Sequence, residues 1–288
     1  MSVFTAAHKS KECIKLKLKY LWPDFYAQFF KKELLESEVN ETKATCHQCV
    51  KARPQYKKSD YYLDNLKCCT FQPYIPNYAI GAILSDPSDR YKAAQEEIRK
   101  KIKNREYMLP VGLVAPIRYQ IEYVKNKKKI FGRDENFLCA FYDQEKNQCG
   151  AWQYRGAVCT SFYCVSSYGK AGKGLWDKVS RFQTYVEIAL MEEAMVHLGY
   201  SPRQLSDNLK YIRYDMKNEK PTQLEKKSWV LPEKTFANLW GDYRNQGEDF
   251  YKNCYKHVKA LDVREFREAI GNLGQNLENE LYECVKKL

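Results

Sequence analysis

Eight of the eleven cysteines in this 288-residue chain lie between residues 46 and 164, a grouping typical of metal ligands. Thiolates are soft ligands that select zinc or iron–sulfur clusters over hard cations. The pair Cys46 and Cys49 forms a CxxC motif, whose short loop brings two sulfurs to one metal ion. The sequence therefore predicts a metal-binding protein with the ligands Cys46, Cys49, Cys68, Cys69, Cys139, Cys149, Cys159 and Cys164.

The number of centres is left open by the spacing. Cys68 and Cys69 are adjacent, and neighbouring side chains in extended backbone point to opposite faces. They would then serve two separate centres, or one centre if the backbone turns sharply there. Eight thiolates suit two tetrahedral sites of four ligands, and a single centre with fewer ligands also fits.

The choice of metal is close. Structural zinc sites usually offer two compact CxxC pairs, and this chain has one. Aromatic residues crowd the ligands and would exclude solvent from a cluster. They are Phe71, Phe141, Tyr142, Trp152, Tyr154, Phe162 and Tyr163. We expect an iron–sulfur cluster, with 4Fe–4S favoured and zinc as the alternative; His47 is a weaker candidate ligand.

Three cysteines are predicted to be structural. Cys254 and Cys284 recur with apolar residues at helical spacing, where cysteine acts as a small hydrophobe. Cys13 begins a strand and has no cysteine nearby in the sequence. An odd total of eleven also fits a fully paired disulfide framework poorly.

The expected compartment is the cytoplasm. The first residues lack the apolar segment of a secretory signal, and no apolar stretch is long enough to cross a bilayer. Cytosolic thiols are kept reduced, so clustered cysteines there are more often metal ligands than disulfides.

A basic stretch from Arg90 to Arg133 has thirteen Lys or Arg residues against four Glu, within a net charge of +12. Such an excess attracts nucleic acid, anionic lipid or an acidic protein. A solvated helix face is the more frequent explanation of such a charge run. The partner is left open as an unknown substrate or protein, with nucleic acid as a further candidate through this stretch, and we expect no membrane partner.

The elements that would position these residues predict an α+β fold. Residues 1–170 are expected to form a cysteine-cluster region with a small antiparallel sheet and metal-bound loops, and residues 171–288 a mainly helical region. Alternation predicts strands from Glu12 to Tyr20 and from Ile117 to Tyr123, the second turning near Lys127 and returning towards Cys139. Helices are expected over 88–105, 175–190, from Ser201 and over 234–288, with Gly169–Gly174 as a flexible joint.

The cysteine motifs resemble the YkgJ-type cysteine-cluster family over about residues 46–164. The resemblance rests on the segments Leu138–Asp143, Gln148–Trp152, Tyr154–Cys159 and Phe162–Cys164, with residues 46–69 similar to the opening motif. It implies chelation of zinc or iron. The family includes relatives of a flagellin lysine N-methylase, so by analogy alone it also implies methyl transfer to protein lysine.

Two functions follow as hypotheses. The first is a cluster-binding protein in a redox or cluster-dependent catalytic role. The second is a non-enzymatic, zinc-stabilised module that binds nucleic acid or an acidic partner through the basic stretch. The sequence contains no nucleophile–base constellation that identifies catalytic residues, so whether the protein is an enzyme stays open.

Overall fold

A computed structural model describes residues 13–42, 49, 52, 62–164, 166–215 and 217–288 of the chain. Over these residues the chain forms short antiparallel sheets and many helices, and its C-terminal half is helical. The predicted α+β class is confirmed. Two candidate ligands, Cys46 and His47, lie outside the described residues.

The described strands are short and pair in antiparallel fashion. β1 (Cys13–Lys17) pairs with β2 (Glu38–Thr42). The predicted first strand is confirmed from Cys13 to Lys17, whereas its first residue, Glu12, lies outside the described residues. From Leu18, which is fully buried, the chain turns into a 3-10 helix instead. The other described strands are β3 (Ile75–Pro76), β4 (Met108–Leu109), β5 (Gly112–Leu113), β6 (Tyr142–Asp143) and β7 (Gln148–Cys149).

Helices make up most of the described chain. They are α1 (Lys32–Leu35), α2 (Asn77–Ser85), α3 (Lys92–Asn104), α4 (Ile117–Ile130), α5 (Ala157–Ser161), α6 (Lys170–His197), α7 (Pro202–Leu209), α8 (Gln223–Lys227), α9 (Glu233–Trp240), α10 (Gly247–Ala260) and α11 (Val263–Val285). The helices predicted over 88–105, over 175–190, from Ser201 and over 234–288 are confirmed. Ser201 caps α7, since its Oγ accepts a hydrogen bond from the backbone N–H of Gln204 at 3.3 Å.

The predicted second strand was wrong, because residues 117–123 lie within α4. The apolar residues alternate from Ile117 to Tyr123, so they also form two pairs spaced four residues apart. Side chains at that spacing are neighbours on one face of a helix. Tyr119 and Tyr123 form one of these pairs, with ring centroids 5.4 Å apart. The chain kinks at Asn126 (φ −128°, ψ 23°) but continues as helix to Ile130, so it does not return as a strand near Lys127. A hairpin does form further along, between β6 and β7.

The predicted glycine joint was also wrong, because α6 begins at Lys170. Gly169 has a positive φ of 55° and precedes the helix. Inside the helix, a Cβ on Gly172 would lie 1.8 Å from Ser166 Oγ. A glycine there allows close packing of the preceding loop.

One continuous hydrophobic core contains side chains from Leu18 to Val285. Nearly all of α2 is buried, and it packs along α10, while α6 packs against α11. Gly81 makes the first contact close, since a Cβ there would lie 1.9 Å from the carbonyl oxygen of Tyr251. The short helix α5, which bears Cys159, packs against α6. None of the described helices is long and apolar enough to span a bilayer.

Candidate metal centre

The predicted ligands stand on turns and short elements rather than on the long helices. Cys68 and Cys69 lie in a turn, Cys139 in a loop, Cys149 in β7 and Cys159 in α5. All five are half-buried thiols. Because each segment is short, its position depends on what it packs against rather than on its own helical or strand geometry.

The adjacent cysteines Cys68 and Cys69 occupy a sharp turn. Lys67, directly before them, has a positive φ of 55°, and the N–H of Cys69 donates to the carbonyl of Leu66 at 3.1 Å. The two thiols are hydrogen-bonded to each other. Neighbouring sulfurs that would diverge in a strand therefore meet here, which favours one shared centre among the two alternatives that the spacing left open.

Backbone hydrogen bonds hold the next two cysteines against this turn. The N–H of Cys139 donates to the carbonyl of Cys69 at 2.6 Å. The β6–β7 hairpin then returns the chain, with Tyr142 opposite Cys149 in register. The N–H of Gly150 closes the hairpin on the carbonyl of Phe141 at 2.7 Å. This arrangement ties Cys139 to the turn and brings the strand that bears Cys149 back towards it.

The five thiols converge closely enough that ionising one would raise the pKa of its neighbours. The hydrogen bond with Cys68 and burial raise the pKa of the Cys69 thiol most, and negative charge on Cys68, Cys139 or Cys149 raises it further. The same three side chains raise the pKa of Cys159. Residues separated by up to 91 positions in the sequence therefore share one electrostatic environment.

Cys49 and Cys164 lie near the same environment. The phenol of Tyr62 has a raised pKa, chiefly because it is buried and then because Cys164, Cys68 and Cys49 lie close to it. Cys68, one of the five thiols, thus shares the surroundings of Tyr62 with Cys49 and Cys164. Seven of the eight predicted ligands lie in this region, and the eighth, Cys46, lies outside the described residues.

Burial dominates the proton affinity of these thiols. Loss of hydration raises the pKa of Cys139, Cys149 and Cys159, because the thiolate is the form that water stabilises. Cys68 and Cys69 are the exceptions, since their mutual hydrogen bond is the largest effect and lowers the pKa of Cys68 while raising that of Cys69. Without a compensating positive charge, most of the five thiols would stay protonated at neutral pH.

Arg155 supplies one positive charge at this position. Its guanidinium lowers the pKa of Cys68, Cys149 and Cys159, although burial remains the larger effect at the latter two. The guanidinium lies 3.6 Å from the centroid of the Trp152 ring, and its Nε donates to the Trp152 carbonyl at 2.8 Å. Arg155 is held in place among the thiols, a role that the sequence analysis did not assign to it.

A buried polar chain anchors α5, the helix that bears Cys159. Glu187 on α6 accepts a hydrogen bond from the N–H of Ala157 at 3.1 Å and another from Gln183 Nε2 at 2.8 Å. Gln183 Oε1 in turn accepts from Trp22 Nε1 at 3.1 Å. Burial raises the pKa of Glu187 to about 8. The long helix α6 therefore fixes the position of the short one.

The donor set fits a soft metal, while its present arrangement is not that of a closed site. Within the described ranges, no three or more His, Cys, Asp or Glu side chains form a group that could hold a metal ion. The donors that converge are all thiols, as zinc and iron–sulfur centres require. Buried thiols of raised pKa lose their protons when a metal replaces them, so metal binding would release protons here.

A cavity of about 200 Å³ opens against Cys139. Its polar wall includes Asn136 and the ion pair of Lys101 with Glu106, whose Nζ and Oε2 are 2.9 Å apart. Trp229 and other apolar side chains form the remaining wall. A small molecule in this cavity would lie next to one of the candidate ligands.

Comparison of the chain with known proteins gives no match to a protein-family model, to a curated protein or to a solved structure. The resemblance to the YkgJ-type family therefore stays a prediction from the cysteine motifs.

Proposed function

We propose that this protein binds an iron–sulfur cluster, or two metal centres, through cysteine thiolates, with 4Fe–4S favoured. The proposed ligands are Cys46, Cys49, Cys68, Cys69, Cys139, Cys149, Cys159 and Cys164. The observation that carries the proposal is the convergence of five half-buried thiols from four separate segments.

The physical argument is the cost of burying these groups without a cation. Cysteines that serve only as small hydrophobic residues need not lie near one another. Cys254, which is fully buried in α10, is an example. The five thiols are instead gathered beside Arg155, in an arrangement where thiolates repel one another and are poorly hydrated. A bound metal would supply the positive charge that stabilises the thiolates.

Iron–sulfur is favoured over zinc by the distribution of the ligands. A cluster has several metal corners and can bind cysteines from several segments, whereas a structural zinc site commonly uses two CxxC knuckles. A bound cluster would supply one-electron transfer. The residues of the chain would bury the centre and place Arg155 beside its ligands, and we further propose that the protein works in the reducing cytoplasm.

The test is metal analysis of protein purified without oxygen. We expect iron and acid-labile sulfide in stoichiometric amounts, with the broad visible absorption of thiolate-bound clusters. Cys159→Ser should abolish both signals, while Cys13→Ser, at the exposed start of β1, should leave them unchanged. Protein that holds neither iron nor zinc, or that keeps its full metal content in Cys159→Ser, would refute the proposed centre.

The second candidate function is a zinc-stabilised module that binds nucleic acid or an acidic partner through residues 90–133. It is favoured by lysines at the end of α4 that have no acidic neighbour within ion-pair distance among the described residues. Stoichiometric zinc with no visible absorption would select this function over the first.

A further inference from the structure

The basic stretch divides into two parts with different surroundings. On α3 most cations are neutralised by carboxylates: Arg99 pairs with Glu248 at 3.0 Å, and Lys101 with Glu106 at 2.9 Å. Arg105, the residue directly after α3, pairs with Glu233. The pairs of Arg99 and Arg105 connect this segment to helices α10 and α9. The cations of this half of the stretch therefore stabilise the fold.

The end of α4 is different. Its last six residues include four exposed lysines, Lys125, Lys127, Lys128 and Lys129. None of the four has an ion pair with the described part of the chain, and α4 contains a single acidic residue, Glu122. We call these four residues the α4 lysine surface. Positive charge concentrated without internal partners is available to an external polyanion.

Aromatic rings continue from this surface towards the cysteines. Lys127 Nζ lies 5.8 Å from the centroid of the Tyr123 ring, and that ring lies 6.4 Å from the ring of Phe131. Phe131 contacts Phe162 edge-on, with centroids 5.5 Å apart. Phe162 is 42% exposed, unlike the buried Phe141 of the predicted aromatic wall. The Phe162 ring is thus linked to Lys127 through the rings of Phe131 and Tyr123, and unpaired bases stack on exposed rings along a basic surface.

We propose that the α4 lysine surface and the ring of Phe162 together bind single-stranded nucleic acid. Lysine ammonium groups neutralise the phosphates, and the Phe162 ring offers a face to an unstacked base, which a duplex would keep inside its helix. The proposal rests on the nucleic-acid binding of the second candidate function and not on its zinc. It names the ligand class and narrows the contact from residues 90–133 to the end of α4 together with Phe162. It holds whichever metal the cysteines bind.

The stretch of sequence that precedes Tyr62 is also basic. Residues 43–61 contain five Lys or Arg and a single acidic residue, Asp60. Tyr62, which follows them, contacts Phe131 with ring centroids 5.3 Å apart. Tyr62 therefore belongs to the same aromatic group as Phe131.

The probe is a fluorescein-labelled single-stranded oligouridine of about 12 nucleotides, within the usual site sizes. Its affinity is measured by fluorescence anisotropy on the full, metal-loaded chain. With four phosphates neutralised, the slope of log K against log salt for a single strand is about −2.8. Affinity should then fall about 50-fold between about 50 and 200 mM salt.

Two sets of variants locate the contact. In the first, the four lysines of the α4 lysine surface become Gln, which should remove most of the salt dependence. The matched control replaces four exposed lysines that have no ion pair with the described chain, namely Lys32, Lys256, Lys259 and Lys287. This control makes the same change in net charge. Its slope of log K against log salt should equal that of the wild-type protein. Phe162→Leu retains an apolar side chain and should weaken binding at least about fivefold, as expected for one lost stack.

Four results would overturn the inference. They are no binding at the lower salt concentration, equal loss in the two lysine variants, equal affinity for a duplex of the same length, and displacement of the RNA by polyglutamate with no effect of Phe162→Leu. The last would identify an acidic protein as the partner. Metal content is measured on the same samples, so absence of a metal refutes the proposed centre while leaving the RNA result to decide this inference.

Discussion

Glu187 makes the stability of this fold depend on pH in a direction opposite to that of most carboxylates. It is buried in α6, and its pKa is raised from 4.5 to about 8 because burial removes its hydration. Two N–H donors, from Ala157 and Gln183, only partly offset that effect. The folded protein therefore holds a proton that the unfolded chain releases.

The sign of the effect follows from that difference. Below pH 4.5 the carboxyl is protonated in both states, and its contribution to stability is fully present. As pH rises from 4.5 to about 8, the unfolded state loses the proton first, and the free energy of unfolding falls. At about 1.4 kcal/mol for each pH unit, the full loss is on the order of 5 kcal/mol.

Replacing Glu187 by Gln removes this titration. The new amide N–H₂ must face one of the two N–H donors, which costs about 1–3 kcal/mol for an unpaired buried group. We therefore expect the variant to be less stable than wild type at pH 5 and as stable or more stable at pH 8. The difference between the two proteins should change by about 3–4 kcal/mol over that range.

The assay is urea unfolding of both proteins at several pH values in the same metal state. Other titrating groups cancel in the difference between wild type and variant. Glu268→Gln, at an exposed position on α11, is the control and should change the difference by less than about 1 kcal/mol. A Glu187→Gln difference that is equally insensitive to pH would refute the argument that burial keeps this carboxyl protonated.

Three further perturbations test the fold and the assignment of the cysteines. Burial and a stacked histidine neighbour lower the pKa of His257, so stability should fall below pH 6.5 in wild type and less in His257→Gln, as urea unfolding at pH 5 and 7 would show. Gly81→Ala should reduce the free energy of unfolding by about 1–3 kcal/mol, since its Cβ would meet the carbonyl of Tyr251. Gly174→Ala is the matched control, because Gly174 lies in helix α6 and has open space where the new Cβ would be. It should raise the free energy of unfolding by up to about 1 kcal/mol. Cys254→Ser should cost about 1–3 kcal/mol of stability by burying a hydroxyl but leave the metal content unchanged, and a loss of metal would show that a ligand had been misassigned to the core.

Periodicity predicted the long helices correctly and a short strand incorrectly. The apolar spacing of α6 and the Ser–Pro start of α7 are local signals, and both helices form where they were expected. Residues 117–123 contain alternating apolar side chains that satisfy a strand and two i,i+4 helical pairs equally well. Contacts made after folding decided between them, including the hydrogen bond from Tyr119 Oη to the carbonyl of Thr70.

Among the cysteines, sequence reasoning separated a residue such as Cys254, which packs in the core, from the clustered ones. It did not find Arg155 or Glu187. Nothing in the spacing of Arg155 between two cysteines indicated a role for it. Its charge lowers the pKa of Cys149 and Cys159 because folding brings it close to them. Glu187 stands on a long helix, with no sequence signal that it would be buried beneath α5.

What the sequence by itself determined is the chemistry available: many thiols, an uneven charge and the helices whose apolar spacing requires a core. Composition and local spacing are properties of the chain that folding does not change. Only the tertiary structure decided which of these groups meet. The turn at Cys68 and Cys69, the hairpin that returns Cys149 and the pairing of α3 cations with distant carboxylates all depend on contacts between segments far apart in the chain. Such contacts are set by the packing of the whole core, so no short stretch of sequence encodes them.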